Sequence, residues 1–290
     1  MRDAVFGPEA KTEFADCYPR SFCKLQHGLT HDPLLTLDAL ADLAAALPAT
    51  SIEYNPGALP IGISPEEIPE SALGVVETIR TIGHSGSWVV LKRIEQAPAY
   101  RDLLERILAE LTEVVGPRTG ATMQHEGFIF VSSPGAVTPF HFDPEHNILL
   151  QVSGRKTMTI FPAEDEAISP ASVHEAFHMG EHHRNLSWDD DYAASGTPVN
   201  LGPGEAIHVP VKSPHWVKVG PEPSVSLSIT WRSEWSYAEA DARAFNRALR
   251  KIGLNPRSPQ PYPARNMGKA MAWRAISRAS ALIHRKAQDA

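Results

Sequence analysis

Between Thr122 and Trp231 the apolar residues come in short runs, many of them alternating with polar residues and separated by Gly and Pro. Alternation with a period of two places successive side chains on opposite faces of a strand, so this stretch predicts many short strands. The runs cover 128–131, 148–152, 157–161, 206–209, 216–219 and 224–231. Such strands are typical of a sandwich or barrel. Residues 163–200 break the rhythm, which predicts an irregular insertion loop.

Helical spacing of apolar residues dominates both ends of the chain. Between Leu103 and Val115, apolar residues recur every three or four positions, which predicts an amphipathic helix closed by Gly116 and Pro117. The predicted helices cover about 36–47, 64–80, 98–115, 237–254 and 265–286. We therefore expect a mainly β fold with flanking helices. A helical region over 1–121 would pack on a core over 122–235, and a basic helical region over 236–290 would follow.

Charge is unevenly distributed along the chain. The net charge of −7 excludes a protein built to coat nucleic acid. From Arg243 to the end there are eleven Lys and Arg and one acid, Asp289, a net charge of +10, so residues 1–242 carry −17. In the last helix Trp273, Ile276, Ala279 and Ile283 form one apolar stripe. A basic amphipathic helix of this kind is compatible with nucleic acid or an anionic membrane. We favour packing of the stripe against a partner helix, in a homodimer or on the acidic body, and place nucleic acid last.

The cysteine content and the hydropathy indicate where the protein works. Cys17 and Cys23 could form a disulfide, although only two cysteines in a chain of this size favour free thiols in a reducing compartment. No run of apolar residues reaches the length of about 18 that a transmembrane helix needs. We therefore expect a cytoplasmic protein without a transmembrane segment.

The strongest chemical signal is the pair His141 and Asp143, followed much later by His215. In a strand, residues i and i+2 face the same side, so His141 and Asp143 would point together into the barrel. A third ligand from a neighbouring strand completes two imidazoles and one carboxylate on one face of a metal. This set leaves coordination positions open and suits Fe(II) that also binds a co-substrate and O₂.

The surrounding residues resemble the core of the JmjC and cupin-like 2-oxoglutarate oxygenases, most closely the branch that includes the asparaginyl hydroxylase of hypoxia signalling. That branch carries T-x-x-H-x-D, then Asn, Gln, G-x-K and a strand ending in Phe-Pro. The matching positions here are Thr138, His141, Asp143, Asn147, Gln151, Gly154, Lys156, Phe161 and Pro162. Downstream, residues 204–210 followed by His215 are similar to the family's second metal-ligand strand. The resemblance covers about 122–232.

The resemblance implies a double-stranded β-helix, or jelly roll, in which His141, Asp143 and His215 bind Fe(II). Lys156, aided by Thr138, would bind the distal carboxylate of 2-oxoglutarate, and Asn147 and Thr230 would lie near the co-substrate. Thr230 stands where the asparaginyl hydroxylase has Asn. The implied enzyme is a 2-oxoglutarate-dependent dioxygenase, a hydroxylase rather than a demethylase, acting on a peptide, a protein or a small molecule. No catalytic residue is assigned beyond the metal centre.

Two other classes of protein stay open: a metal-binding cupin without 2-oxoglutarate chemistry, and a non-catalytic regulatory cupin. Lys156 and Thr138 argue against the first class, and the intact ligand set argues against the second.

The insertion over 163–200 has two interpretations. It carries eight acids between Glu164 and Asp191 against the single base Arg184, and is either a lid that attracts a cationic substrate or a solubilising loop. The histidines of this segment, His174, His178, His182 and His183, would form a second metal site or, as we favour, belong to a solvated loop. His208 is expected to be packed rather than ligating.

Overall fold

The computed structural model describes residues 4–57, 59–64 and 74–288 and contains two antiparallel β-sheets. The larger sheet has the strand order β1-β9-β6-β11-β4-β3-β2, and the smaller has the order β5-β10-β7-β8. The strands are β1 (Cys23–Gln26), β2 (Ile52–Pro56), β3 (Ser87–Lys92), β4 (Thr122–Ser132), β5 (Val137–His141), β6 (His146–Ser153), β7 (Lys156–Ile160), β8 (Thr197–Leu201), β9 (Glu205–Val209), β10 (His215–Val219) and β11 (Ser224–Ser233). All six strand runs predicted from the sequence are confirmed.

Eight α-helices surround these sheets in the described part of the chain. They are α1 (Pro8–Cys17), α2 (Leu37–Ala46), α3 (Val75–Arg80), α4 (Pro98–Ala109), α5 (Thr112–Thr119), α6 (Ala171–Phe177), α7 (Glu234–Lys251) and α8 (Met267–Gln288). The Thr36 hydroxyl caps α2 by accepting from the Ala39 backbone N–H. Residues 65–73, which begin the helix predicted over 64–80, lie outside the described residues.

The apolar side chains form two main layers. The larger cluster joins the N-terminal helices to one face of the seven-stranded sheet, with Phe14, Leu104 and Ile129 fully buried. The second cluster lies between the two sheets and includes Leu149 of β6 and Met158 of β7. Burying both faces of the large sheet excludes water from its backbone hydrogen bonds and holds the strands that carry the candidate site.

The region over 1–121 was predicted to be helical, and the structure corrects this prediction. The region also adds three strands, β1, β2 and β3, to the large sheet. β3 is almost entirely buried and pairs with β4, so its continuous apolar run is that of an internal strand. The insertion also differs from the prediction of an irregular loop: it contains α6 and ends in β8, which pairs with β7. These pairing partners are distant in sequence, and local periodicity does not report them.

The helix predicted over 98–115 is divided into α4 and α5, and α5 continues through Pro117 to Thr119. The periodicity hides the break because Leu111 and Val115 bury their side chains against the same core as α4 does. The chain ends α5 at Gly120, whose φ of 86° lies in the left-handed region that favours glycine.

Cys17 at the end of α1 and Cys23 at the start of β1 are joined by a disulfide, so the structure does not keep the two free thiols that the cysteine content favoured. No helix in the described residues is long and apolar enough to cross a membrane.

The C-terminal helices α7 and α8 pack against each other. Ala270 of α8 is fully buried, and the Arg274 guanidinium donates to the Asp241 carboxylate of α7 at 2.6 Å. The predicted apolar stripe is half-buried at Trp273 and exposed at Ile276. The side chain of Ile283 is not among those that the structure describes. Ile276 and Ala279, the exposed members of the stripe, therefore do not bury their side chains against α7.

A buried group of charges fastens α7 to the barrel. The Glu239 carboxylate of α7 contacts the Lys212 ammonium at 2.5 Å and the Arg243 guanidinium, and all three side chains are 3% exposed. Lys212 lies in the turn before β10, and its backbone N–H donates to the Asp143 carbonyl. The ion pair thus connects α7 to the backbone beside Asp143.

Glu239→Gln is expected to lower the free energy of unfolding by about 3–5 kcal/mol, because it removes the buried carboxylate that both cations contact and, among the described residues, leaves Lys212 only the largely exposed Glu164 at 4.0 Å. The matched control is Glu222→Gln, at an exposed position, which is expected to change it by less than about 0.5 kcal/mol. Urea unfolding followed by circular dichroism measures both values. Equal stability of the two variants would show that the buried pair contributes nothing.

Candidate metal and anion site

His141 and His215 lie directly opposite each other on adjacent strands. His141 is the last residue of β5, His215 is the first of β10, and the antiparallel register pairs them. Asp143 follows two residues after His141. One ligand atom from each residue lies within 4.8 Å of the others, and the Asp143 carboxylate is 4.0 Å from His141 Nε2 and 3.8 Å from His215 Nε2. The three predicted ligands therefore converge on one point.

Backbone carbonyls fix the orientation of both imidazoles. His141 Nδ1 lies 2.7 Å from the Pro139 carbonyl oxygen, and His215 Nδ1 lies 2.9 Å from that of Ser213. Because a carbonyl only accepts, each Nδ1 carries the proton and each Nε2 presents its lone pair to the shared point. Burial lowers the pKa of His141 to about 4, and the neighbouring His215 adds to this shift. His141 is therefore neutral, as a metal ligand must be.

The Asp143 carboxylate is buried and hydrogen-bonded on both oxygens. Asn147 Nδ2 donates to Oδ2 and the Arg184 guanidinium donates to Oδ1, each at 2.9 Å. Burial alone raises the pKa of Asp143, but His141 and Arg184 outweigh it and hold the value at about 2. Asn147 in turn accepts a hydrogen bond from Ser228. Asn147, the predicted contact of the co-substrate, therefore donates its side-chain hydrogen bond to the Asp143 carboxylate.

Lys156, the first residue of β7, is buried in the same cavity. Its ammonium donates to the Ser226 hydroxyl at 2.7 Å and lies 5.9 Å from the centre of the Phe130 ring. Within the described ranges no carboxylate forms an ion pair with it, and burial lowers its pKa to about 7. A buried ammonium without a counter-ion is costly, so the site favours a bound anion.

One cavity of about 90 Å³ brings these groups together. Its polar lining includes all seven predicted site residues, namely Thr138, His141, Asp143, Asn147, Lys156, His215 and Thr230. Its apolar lining is Phe128, Phe130, Leu149, Met158 and Val217. One part of the cavity thus carries the three potential metal ligands, and another part carries the Lys156 ammonium, which can bind an anion. The apolar side chains of the walls exclude water.

Sequence reasoning missed three polar residues of this region: Arg184, Ser226 and Ser228. The two serines alternate with apolar residues on β11, so a site-facing row of hydroxyls was visible in principle from the period of two. Arg184 had one signal, since it is the only base in the acidic insertion.

The histidines of the insertion do not form a second metal site. Within the described residues, the triad is the single group of three potential ligands found close together. His174 is 1% exposed, bonds to the Ser169 hydroxyl and packs on Phe142, so the prediction of a solvated loop is wrong for this residue. His182 and His183 are exposed. His208 is buried and bonds to the Asn147 carbonyl, which confirms that it is packed.

The acids of the insertion contact the basic C-terminal region. Glu175 is fully buried and pairs with Arg250 of α7 at 2.6 Å, and Glu181 pairs with Arg247 at 2.6 Å. These carboxylates are therefore neutralised within the chain, and the predicted attraction of a cationic substrate by the insertion finds no support in them.

Binding of succinate, a dicarboxylate, is expected to weaken as the pH rises above about 7. The anion needs the charged ammonium of Lys156. In the protein without succinate this ammonium loses its proton from about pH 7 upward, so the affinity falls up to about tenfold per pH unit. The other titratable groups of the cavity are His141, Asp143, Arg184 and His215.

Calorimetric titrations between about pH 6.5 and about pH 9 measure this dependence. Lys156→Gln, the matched variant without a titratable group, is expected to bind weakly with a flat pH profile. A flat profile in the unmodified protein would contradict the role of Lys156.

Comparison with known proteins bears on the family and the fold. Residues 88–234 match the model of the cupin-like domain family. The structure of YcfD from Escherichia coli superposes with a TM-score of 0.54 at 17% identity, covering 95% of this chain and 69% of that one. Another structure, of YcfD as a ribosomal oxygenase with cobalt and 2-oxoglutarate, gives a TM-score of 0.51 at 17% identity, covering 94% and 67%. The predicted jelly-roll fold is confirmed, and the chain belongs to the cupin-like domain family.

Proposed function

We propose that the protein is an Fe(II)- and 2-oxoglutarate-dependent oxygenase that hydroxylates a C–H bond of a protein or peptide. One observation carries the proposal: a His-Asp-His set, half-buried at His141 and buried at its other two members, borders the same cavity as a buried ammonium that has no counter-ion among the described residues. Two imidazoles and one carboxylate suit a metal that keeps open positions. A dicarboxylic co-substrate is an anion that satisfies Lys156, so the residues present fit both groups.

His141, Asp143 and His215 would hold the iron, and Lys156 with Thr138 would hold the distal carboxylate of 2-oxoglutarate. When bound, the metal and co-substrate supply oxygen activation, in which 2-oxoglutarate is converted to succinate and CO₂ while the substrate C–H is hydroxylated. The chain itself keeps both imidazoles in one tautomer and keeps Asp143 charged. The rings of Phe128 and Phe130 limit the access of water.

The substrate class rests on similarity. The E. coli structure that the fold matches is described as a ribosomal oxygenase, and the motif over 138–162 resembles the asparaginyl hydroxylase branch. Both favour a protein or peptide over a small molecule, and the motif favours hydroxylation over demethylation. A cytoplasmic location belongs to the same proposal.

A homodimer formed through the C-terminal region is part of this proposal. Among the described residues, every exposed large apolar side chain lies in this region: Ile252, Leu254, Met267, Met271, Ile276 and Leu282. A concentration of exposed apolar side chains in one region is typical of an interface between copies of a chain.

Anaerobic addition of Fe(II) and 2-oxoglutarate is expected to produce the visible charge-transfer band of the chelate. His141→Ala removes a ligand and is expected to abolish the band, whereas His182→Ala, which changes an exposed histidine of the insertion, is the matched control and keeps it.

The outcomes separate the three classes of protein. Absence of the band in the unmodified protein, with metal bound, would favour a cupin without 2-oxoglutarate chemistry. A band without turnover of any C–H donor or of 2-oxoglutarate would favour a regulatory protein.

A further inference from the structure

The insertion runs alongside the strand that carries His141. The Phe142 N–H donates to the Arg184 carbonyl at 3.2 Å, and the Leu186 N–H donates to the Phe140 carbonyl at 2.9 Å. Between these bonds, Asn185 forms an antiparallel β-bridge with His141. The segment 184–186 thus acts as a short extra strand beside the ligand motif, and its position is fixed on both sides of His141.

Apolar packing anchors this segment. Leu186 is 5% exposed and lies in a cluster with Phe140, Phe142 and Phe161. Phe140 and Phe142 alternate with His141 along the chain, so their rings occupy the face away from the metal ligands. The backbone of Arg184 is therefore held by the same residues that hold His141.

The Arg184 side chain reaches from this anchored backbone to the candidate metal ligand. Its guanidinium donates to Asp143 Oδ1 at 2.9 Å, on the oxygen that Asn147 does not bind. The carboxylates of Glu145 and Glu126 also act on the guanidinium, which offsets part of its charge. The side chain lines the cavity while 47% of it stays exposed.

We propose that Arg184 is a positioning residue that fixes the plane of the Asp143 carboxylate, so that its contact with Asp143 raises the affinity of the metal site. The inference rests on the proposed metal site. With Asn147 on one oxygen and Arg184 on the other, the carboxylate cannot rotate about its Cβ–Cγ bond. Loss of one such partner of a ligand costs about 10–100-fold in metal affinity.

A competing effect has the opposite sign. A guanidinium beside a divalent cation repels it, so removing Arg184 would tighten metal binding if repulsion dominated. Because Glu145 and Glu126 offset the guanidinium charge and it contacts the carboxylate directly, the loss of orientation is the larger effect. The direction of the change therefore tests the inference.

Co(II) titration followed by its visible d–d absorption measures both the affinity and the coordination geometry. Arg184→Gln is expected to weaken Co(II) binding about 10–100-fold and to change the d–d band. Arg184→Lys keeps the charge but lacks the planar fork, and is expected to bind with intermediate affinity.

Arg247→Gln is the matched control, because it removes an ion pair between α7 and Glu181 of the insertion without contact to Asp143. It is expected to keep the unmodified affinity. Urea unfolding of each variant identifies any loss of fold, and Arg184→Lys supplies the test if Arg184→Gln fails to fold.

Unchanged or tighter Co(II) binding by the Arg184 variants would overturn the inference. A failure of the proposed metal site is distinguishable, because the unmodified protein would then show no Co(II) spectrum at all.

Discussion

The antiparallel register of β5 against β10 is the constraint on which the candidate site depends. It places His215 opposite His141 at the ends of their strands, and Asp143 follows where the chain leaves β5. The register is fixed in turn by the apolar layer between the sheets, because a shift of one residue would turn every buried side chain outward. Metal geometry is therefore a consequence of core packing, and the carbonyls of Pro139 and Ser213 refine it by fixing the imidazoles.

The basic C-terminal region and the acidic remainder of the chain form ion pairs with each other within the molecule. Basic residues of α7 meet acids of the insertion, as Arg250 does with Glu175. In that pair the Glu175 carboxylate is fully buried, while the Arg250 guanidinium stays partly exposed. The fully buried Glu239 with Lys212 and Arg243 is of a different class, and it links α7 to the turn before β10. The C-terminal region thereby supports the same loop that bonds to the Asp143 backbone.

The sequence predicted the six core strands and the seven polar residues of one cavity, because period-two alternation and the family motif are local signals. It did not predict β1, β2, β3 or β8, whose partners are distant in the chain. The Arg184 contact was missed for the same reason, since it depends on how the insertion docks beside β5. The role of Asn147 changed because its amide meets Asp143 only in the folded barrel.

The central claim is that metal and dicarboxylate bind in one cavity and stabilise each other. Calorimetric titration of 2-oxoglutarate into the metal-free protein and into protein loaded with Mn(II), without O₂, tests it most directly. The two ligands share the space between the triad and Lys156, so the affinity for 2-oxoglutarate is expected to be at least about tenfold higher in the loaded protein, a coupling of about 1.4 kcal/mol. Equal affinities in the two states would contradict a shared site.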